Sequence, residues 1–490
     1  NFVFNGTTAQ VTGALMPTTV NNLTIDNAAG VTLTNSPQIV SGSLQINSGG
    51  IINVSAAKQL TVTGALTNNG TLNLLSSVDG TATIITGSVN GSGTTNVNQY
   101  LTYRTWYMSS PVASASPTGM DRIKYFDETV AGNSWPAATT MTAGKGYLVV
   151  PTDDDDHISN ILFTGTLNTG NLNIPLTRSS ANTEKPGFNL IGNPYPSYLD
   201  WKLVAENASN AVIMPTKTMW YRTKVAKQTD PVTYEYKFWT VNGDGVGTPA
   251  TASKNIPPMQ AFWVRAAASG NLALTNNMRL HESVTTNQLK APAAKNSELQ
   301  LIRLQVNNGI NTDETVLYVS DNAANGFDTY DAPKMSNDNI AIPEIYTTLD
   351  NQHIVINALK SLPLDTEIGL GFAAGDATSF SIRANEITNL PSDVKVILKD
   401  YANNGLETDL TDGVTAYNFA PATTTGNRFS IIFRSAGSTT ALNTNTGNGI
   451  SVYSLKNGIN VTVNAELSEH ATVSVFNAVG QQLVNQHLTN

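Results

Sequence analysis

The chain has 490 residues, no cysteine and 13% charged residues, and its formal net charge is −9. This length predicts about three domains, and the lack of cysteine excludes disulfides, zinc–thiolate sites and cysteine nucleophiles. The acidic balance disfavours nucleic acid as a partner, because binding a phosphate backbone requires a cationic face. No apolar run approaches the roughly 18 residues of a membrane-spanning helix, so no transmembrane segment is predicted.

Residues 1–98 contain a five-residue motif that occurs four times. Its first and fifth positions are apolar, its second is Ser or Thr, its third is Gly and its fourth is Ala or Ser. The four copies are centred on Gly13, Gly42, Gly64 and Gly87. Between them, alternating apolar pairs recur every 20 to 21 residues: Val31/Leu33, Ile52/Val54 and Leu72/Leu74. The pattern predicts a β-solenoid of four coils with these pairs inside and the glycines turning corners at positive φ. A flat antiparallel meander is the alternative.

A solenoid of this kind serves either as a polysaccharide lyase or as a spacer. A lyase gathers carboxylates, a cation and usually a metal on one face. The only acids in the repeat are Asp26 and Asp79, which lie 53 residues apart and so fall in different columns of the coil. The sequence therefore predicts a spacer.

Residues 99–282 contain all six tryptophans. Residues 106–111 and 188–194 are similar, since each is an apolar strand that ends in a proline turn. A second, buried-looking strand follows each of them, at 146–150 and 261–264. These pairs predict two related β units packed as one duplicated, aromatic-rich domain.

The aromatic side chains of this domain allow two interpretations. Exposed Trp and Tyr rings stack on sugar rings, which would make the domain a glycan-binding site. Core packing is favoured, because buried aromatics are the general expectation for a folded domain. A hidden glycosidase remains a further alternative, with Asp200 beside Trp201 and Glu235 among aromatics as its best acid pair.

No catalytic residue, cofactor or metal site is predicted from the remaining motifs. The five histidines lack metal-ligand spacing and adjoin no Gly-x-Ser-x-Gly turn. Asp153 to Asp156, followed by His157, lacks the spacing of a calcium loop and is interpreted as a solvated acidic loop.

Residues 297–435 carry about nine short strand signals separated by Gly, Asp and Asn turns, which predict a β-sandwich. Within them, Asp328, Asp331 and Lys334 form a candidate acid, base and cation trio. We interpret these three charges as turn caps and local pairs around Phe327 and Tyr330, which the loop buries.

A Gly, Ser, Thr and Asn linker precedes residues 449–490. Apolar alternation at 459–463 and 473–476 predicts strands, and a tight turn is expected at 477–480. Together they form half of a small antiparallel sandwich.

These residues resemble a known family. The strand Val473–Phe476 followed by Asn477-Ala478-Val479-Gly480-Gln481 is similar to the type A C-terminal sorting domain of proteins exported by the Bacteroidetes type 9 secretion system. The unit at 297–435, with Gly326-Phe327-Asp328, resembles the sandwich often found before that signal. The opening repeat and Asn193-Pro194-Tyr195-Pro196 resemble parts of large surface proteins from the same bacteria.

The resemblance implies a partial immunoglobulin-like sorting domain that is exported across the outer membrane. Its implied partners are an outer-membrane β-barrel shuttle protein and the type 9 secretion translocon. Val475 and Phe476 would supply buried area, Gly480 the turn, and Gln481 a hydrogen bond to the partner. Alternatively, these four residues simply specify the hairpin.

The sequence therefore predicts a modular, all-β, non-enzymatic protein, secreted or held at the cell surface as an adhesin or a gliding-associated component. The start at Asn1 without a cationic and apolar leader indicates either a removed signal peptide or a fragment. The alternative is a carbohydrate-binding or carbohydrate-active protein that uses residues 99–282, with surface glycans as its partner.

Overall fold

A computed structural model of the chain is nearly all β, with 49% strand and 4% helix. It separates into two compact units, one formed by residues 1–391 and 396–433 and the other by residues 392–395 and 434–490. None of the described helices is long and apolar enough to cross a membrane. The structure describes residues 1–152, 158–226, 234–282, 299–337, 339–422, 427–435, 450–455, 458–463, 472–476 and 481–487.

The N-terminal part of the larger unit is a β-solenoid of about four turns, as the repeat predicts. Its strands are β1 Phe2–Phe4, β2 Gln10–Val11, β3 Thr19–Val20, β4 Leu23–Ile25, β5 Val31–Leu33, β6 Gln38–Val40, β7 Leu44–Ile46, β8 Ile51–Val54, β9 Gln59–Val62, β10 Leu66–Asn68, β11 Thr71–Leu74, β12 Ser76–Ser77, β13 Gly80–Thr81, β14 Thr83–Thr86, β15 Val89–Asn90 and β16 Thr94–Thr102.

Three sheets of parallel strands run along the solenoid, in the orders β1-β4-β7-β10-β15, β2-β5-β8-β11-β16 and β14-β9-β6-β3. The inward pairs stack in register, since Val31 aligns with Ile52, and Ile52 with Leu72. All three side chains are fully buried. The parallel pairing rules out the antiparallel meander, and the period-two alternation explains why every second residue of a strand enters the core.

The repeat glycines act differently from one another. Gly13 has a φ of 63°, as predicted for a corner. The prediction is wrong for Gly42, Gly64 and Gly87, whose φ angles lie outside the left-handed region. A Cβ at Gly64 would lie 2.8 Å from the carbonyl carbon of Gly42 and closer still to its oxygen. The repeat requires glycine there because the coils stack backbone against backbone.

The last coil of the solenoid is covered by the next part of the chain. Strand β16 continues past residue 98 and pairs antiparallel with the strand at Ile158–Thr164. Edge strand β14 is covered by side chains and backbone: Arg279 donates to the carbonyl oxygens of Ile84 and Thr86, at 2.8 and 2.9 Å. Both contacts satisfy backbone groups that an open edge would expose.

The middle part of the larger unit contains the two α-helices that the structure describes, α1 Trp201–Glu206 and α2 Ala208–Ile213, and a 3₁₀ turn at Asn276–Met278. Its strands are β17 Trp106–Met108, β18 Met120–Lys124, β19 Tyr147–Pro151, β20 Ile158–Thr164, β21 Leu172–Leu176, β22 Phe188–Gly192, β23 Tyr198–Asp200, β24 Met219–Ala226, β25 Tyr234–Val241, β26 Gly247–Thr248, β27 Asn255–Ile256, β28 Ala261–Arg265, β29 Gly270–Leu274 and β30 Arg279–Leu280.

Two sheets of this part, β17-β19-β18 and β22-β28-β24-β25-β26, correspond to the two predicted β units. In the first unit β17 pairs antiparallel with β19, and in the second unit β22 pairs antiparallel with β28. Between the halves, Met108 bridges to Gln260 and Lys145 bridges to Ile191. Strand β17 thus also contacts the chain just before β28, and β22 contacts the chain just before β19.

The third part of the larger unit is one continuous mixed sheet of antiparallel and parallel strands. Its strands are β31 Leu301–Asn307, β32 Thr312–Val319, β33 Ala332–Pro333, β34 Glu344–Leu349, β35 Gln352–Leu359, β36 Glu367–Ala373, β37 Phe380–Thr388, β38 Val394–Asp400, β39 Leu406–Asp409, β40 Ala416–Phe419 and β41 Phe429–Ser435, with a 3₁₀ turn at Tyr401–Asn403. The strand order is β39-β38-β41-β36-β34-β35-β32-β31-β37-β40, and β33 pairs with β35.

This ladder folds over itself to make a sandwich. Strands β36 and β37 lie several positions apart in the order, yet the Phe372 ring lies 4.9 Å from the Phe380 ring. The same Phe372 ring lies 5.1 Å from Phe419 on β40. These edge-to-face contacts form the core between the two layers.

The smaller unit contains two hairpins. Strand β42 Ile450–Leu455 pairs antiparallel with β43 Gly458–Val463, and β44 Thr472–Phe476 pairs with β45 Gln482–His487. The register of the second hairpin shifts between Val475 and Phe476.

Candidate ligand-binding site

One wall of a cavity is the small sheet β17-β19-β18. Tyr107 on β17 lies opposite Leu148 on β19, and Leu148 in turn lies opposite Lys124 on β18. Arg122, two residues before Lys124, falls on the same face because strand side chains alternate. This face presents an aromatic ring, an aliphatic side chain and two cations.

The facing wall is the larger sheet of the middle part. Trp263 on β28 lies opposite Trp220 on β24, and Arg222, two residues further along β24, lies opposite Phe238 on β25. The alternate residues of the same strands, among them Tyr221, belong to the hydrophobic core on the other side of the sheet. Aromatic residues at adjacent positions therefore belong to two buried clusters, one on each face of the sheet, and the cluster that contains Tyr107, Trp220 and Trp263 also borders the cavity.

The space between the walls has a volume of about 570 Å³, within the range of about 300–1,000 Å³ typical of small-molecule sites. Among the described residues, six aromatic rings line it, together with four cations and one carboxylate. The lining residues are Tyr107, Arg122, Lys124, Asn133, Trp135, Leu148, Glu184, Lys185, Phe188, Trp220, Arg222, Phe238, Trp263 and Met335.

The aromatic rings are held by contacts with one another. Trp135 comes from a loop, and its ring lies 6.0 Å from Trp263 and 6.2 Å from Tyr107 at tilted or edge-on angles. The Tyr107 hydroxyl accepts a hydrogen bond of 3.3 Å from Nη1 of Arg222, which links the two walls. These contacts hold each ring in one orientation before any ligand binds.

Among the residues that the structure describes, two polar atoms of the wall have no hydrogen-bond partner. They are the indole N–H groups of Trp220 and Trp263, which are 1% and 9% exposed. A buried donor without a partner costs about 1–3 kcal/mol. The Tyr221 hydroxyl in the neighbouring core also has no partner among these residues, so the two indoles do not by themselves mark a binding site.

A buried carboxylate positions the loop that carries Glu184 and Lys185. Glu128 is 3% exposed, and its two oxygens accept from the backbone N–H of Ser179 at 2.9 and 2.8 Å. One oxygen also accepts from the N–H of Gly187 at 2.8 Å. The loop at the cavity rim is thereby fixed at both of its ends.

A second cavity of about 230 Å³ adjoins the first. Phe238 and Met335 line both cavities, so the two form one divided groove between the middle and third parts of the larger unit. Its carboxylates are occupied, because Asp313 pairs with Lys334 and Glu314 pairs with Arg303 at 3.4 Å.

Asp200, the first residue of the glycosidase alternative, has a structural role. Its carboxylate caps α1 by accepting from the Lys202 N–H at 2.9 Å and forms an ion pair with Lys254. The side chain of Glu235 lies outside the described residues. In the first cavity, Glu184 is the one carboxylate among the described lining residues.

The trio at 328–334 does not converge on one site. Asp328 Oδ1 accepts from the Tyr330 N–H at 2.7 Å, as expected for a turn cap, whereas Lys334 pairs with the distant Asp313. Asp331 is fully buried. Burial raises its pKa to about 6, although hydrogen bonds from the backbone of Asp328 and Ala358 oppose the shift.

The acidic run at 153–157 lies outside the described residues. Within the described ranges, no group of three or more metal-ligating side chains could hold a metal ion.

Two of the four residues predicted for sorting lie in the second hairpin of the smaller unit. Val475 is half-buried and pairs with Val484, and Phe476 pairs with Gln482 across the bulge. Gln481 is exposed just before β45, and Gly480 lies outside the described residues.

Comparison with known proteins places most of the chain in one family. The family described as Domain of unknown function (DUF8693) matches residues 8–433. The chain belongs to this family. The DUF8693 match ends at Phe433, where the larger compact unit also ends, and it includes the solenoid and both cavities. No curated protein and no solved structure matches the chain.

The sequence indicated the tryptophans of the site but not their arrangement. Trp106, Trp201, Trp220 and Trp263 are buried in hydrophobic clusters, as the core-packing interpretation expects, and Trp135, Trp220 and Trp263 also line the cavity. Neither Arg122 nor Lys124 was indicated by any motif. The only available signal was the cation–apolar–cation alternation of β18, which is common on exposed strands.

Proposed function

We propose that this protein is a non-enzymatic, secreted or cell-surface binding protein that holds a glycan in the cavity between its two aromatic sheets. The observation that carries the proposal is the set of six rings around a cavity of about 570 Å³. Sugar rings present C–H groups on their faces that pack against aromatic rings, and their hydroxyls require a few polar partners. Asn133, Glu184 and the cations at the rim are such partners.

The choice of binding over hydrolysis rests on the carboxylates. A glycosidase normally requires two carboxylates about 5 to 9.5 Å apart. Among the described residues that line the first cavity, Glu184 has a carboxylate. The carboxylates that line the second cavity, Asp313 and Glu314, are paired with Lys334 and Arg303. The solenoid then serves as the spacer that presents the cavity.

Replacing Trp135 by alanine is expected to weaken glycan binding at least about tenfold, about 1.4 kcal/mol. Trp135 is half-buried on a loop and its ring packs against Tyr107 and Trp263, so its removal takes away a stacking surface and a support of the neighbouring rings. A glycan array read with the full chain identifies a ligand, and calorimetry with that ligand measures the loss.

The matched control is Tyr401→Ala, which removes an exposed ring outside both cavities. Equal affinities for the Trp135→Ala variant and the unmodified protein would place binding elsewhere. If the unmodified protein retains no sugar at millimolar concentration, the glycan proposal is abandoned.

We further propose that residues 449–490 direct export through the type 9 secretion system, with an outer-membrane β-barrel shuttle as the partner. The resemblance supports this role. A second support is strand β45, where Leu483 and Val484 are 63% and 46% exposed. An exposed apolar strand offers both side-chain area and backbone groups to a partner.

Replacing Gly480 by valine is expected to abolish secretion of a reporter fused to residues 436 onward, produced in a bacterium that has this system. The fraction of reporter in the medium and on the cell surface is measured. The control variant is Thr472→Ser, a conservative change at an exposed position of β44. Normal secretion of a folded Gly480→Val fusion would remove Gly480 from the signal.

A further inference from the structure

The aromatic cavity carries an excess of positive charge that the rest of the protein does not share. Four of its described lining residues are cations, namely Arg122, Lys124, Lys185 and Arg222, against one described carboxylate, that of Glu184. The whole chain has the opposite balance, with 27 basic and 36 acidic residues. A cationic concentration in an acidic protein indicates a local requirement for an anion.

Three of these cations are not neutralised by the protein. Among the residues that the structure describes, the side chains of Arg122, Lys124 and Lys185 form no ion pair. Other lysines behave differently, since Lys254 and Lys334 pair with Asp200 and Asp313. The positive charges of these three side chains are therefore available to a ligand, whereas Lys254 and Lys334 are held in ion pairs within the protein.

The placement of the cations fits a ligand that stacks and carries charge at once. Lys124 lies across from Leu148, which lies across from Tyr107, so a cation and a ring are separated by one strand on the same wall. Neighbouring strands are about 4.8 Å apart, and two strand spacings are close to the width of a sugar ring with its substituent. A ring packed on the aromatic wall would hold a substituent toward β18.

We propose that the cavity selects a negatively charged saccharide, whose carboxylate or sulfate group binds Arg122 and Lys124 while its ring packs on the aromatic wall. The proposal rests on the glycan-binding function proposed above and adds the chemical class of the ligand. Guanidinium groups bind carboxylate and sulfate with paired hydrogen bonds, and the ammonium of Lys124 adds a point charge.

The test compares three probes on the full chain by calorimetry: a neutral glucose disaccharide, its glucuronate-containing counterpart and a sulfated counterpart. The acidic probes are expected to bind at least about tenfold more tightly than the neutral one. The advantage should shrink as salt rises from about 0.1 to about 1 M, because the Debye length falls from about 10 to about 3 Å. The ratio of the two acidic arms identifies the favoured anion.

Variants locate the charge recognition. Arg122→Gln and Lys124→Gln are each expected to remove most of the acidic preference, measured for each variant as the ratio of its affinities for the acidic and the neutral probe. Lys360→Gln, an exposed lysine outside both cavities, changes the net charge equally and should have no effect.

The outcomes separate the two proposals. Equal binding of neutral and acidic probes, or an acidic preference unchanged by both variants, overturns the charge selection and leaves glycan binding intact; the cations then only protect the β18 edge. A failure of all three probes and of the glycan array overturns both proposals.

Discussion

Replacement of Arg279 by methionine is expected to lower the free energy of unfolding of the larger unit by about 1–3 kcal/mol. Arg279 is 7% exposed, and its guanidinium donates to the carbonyl oxygens of Ile84 and Thr86, which close the edge of the solenoid. Methionine fills a similar volume but leaves the buried Ile84 carbonyl oxygen without a donor, whereas the Thr86 carbonyl oxygen keeps the hydrogen bond from the Thr169 hydroxyl. A buried acceptor without a donor costs about 1–3 kcal/mol.

The rest of the Arg279 network adds to this effect. The Nε atom donates to Ser197 Oγ at 3.0 Å, and Nη1 donates to Asn276 Oδ1 at 2.8 Å. Burial lowers the pKa of Arg279 to about 10, so the guanidinium remains charged at neutral pH. All of its hydrogen-bond acceptors are neutral oxygen atoms, and the guanidinium also lies over the Tyr195 ring, 4.7 Å from its centroid, so hydrogen bonds and a cation–π contact together offset the cost of burying the charge.

Urea denaturation followed by tryptophan fluorescence measures the change. Arg279→Lys keeps the charge but lacks the planar set of donors, and it should fall between the unmodified protein and the methionine variant. Arg383→Met, at an exposed position of β37, is the control and should change stability by less than about 0.5 kcal/mol. A loss below about 1 kcal/mol for Arg279→Met would mean that water replaces the guanidinium at the solenoid edge.

Replacement of Gly64 by alanine is expected to destabilise the solenoid by about 1–3 kcal/mol, whereas Gly87→Ala should be neutral or slightly stabilising. The two glycines occupy the same position of the repeat. A Cβ at Gly64 would meet the backbone of Gly42 in the coil below, at less than 3.0 Å. A Cβ at Gly87 would meet nothing within 4 Å.

The pair is measured by the same denaturation assay, with the midpoint and the slope recorded for each variant. Because the two substitutions are chemically identical, their difference isolates the stacking of one coil on the next. Equal stabilities would show that the coils can separate far enough to admit a methyl group without cost, and that the repeat does not constrain Gly64 through packing.

Local periodicity was sufficient to predict the solenoid. The alternation of Val31 and Leu33, repeated at Ile52 and Leu72, assigns these side chains to one face, and the fixed repeat length brings equal faces into register. The second strands of the aromatic part are also local features, and the predicted residues 146–150 and 261–264 correspond to β19 and β28.

The two roles of glycine within one repeat could not be separated in the same way. Gly13 and Gly64 occupy equivalent sequence positions, yet one takes a positive φ and the other sits under a backbone carbonyl group. A sequence pattern records that a side chain is excluded. It does not record whether a torsion angle or a neighbouring coil excludes it.

The β class, the solenoid with its inward pairs and the strands rich in aromatic residues follow from the amino-acid pattern alone, because strand burial repeats every two residues and each coil repeats the last. Sheet packing settles which face of those aromatic strands borders a cavity, and that Arg279 closes a solenoid edge 195 positions earlier in the chain. Such contacts depend on how whole sheets pack, and the alternation along any single strand is the same whichever face the next sheet covers.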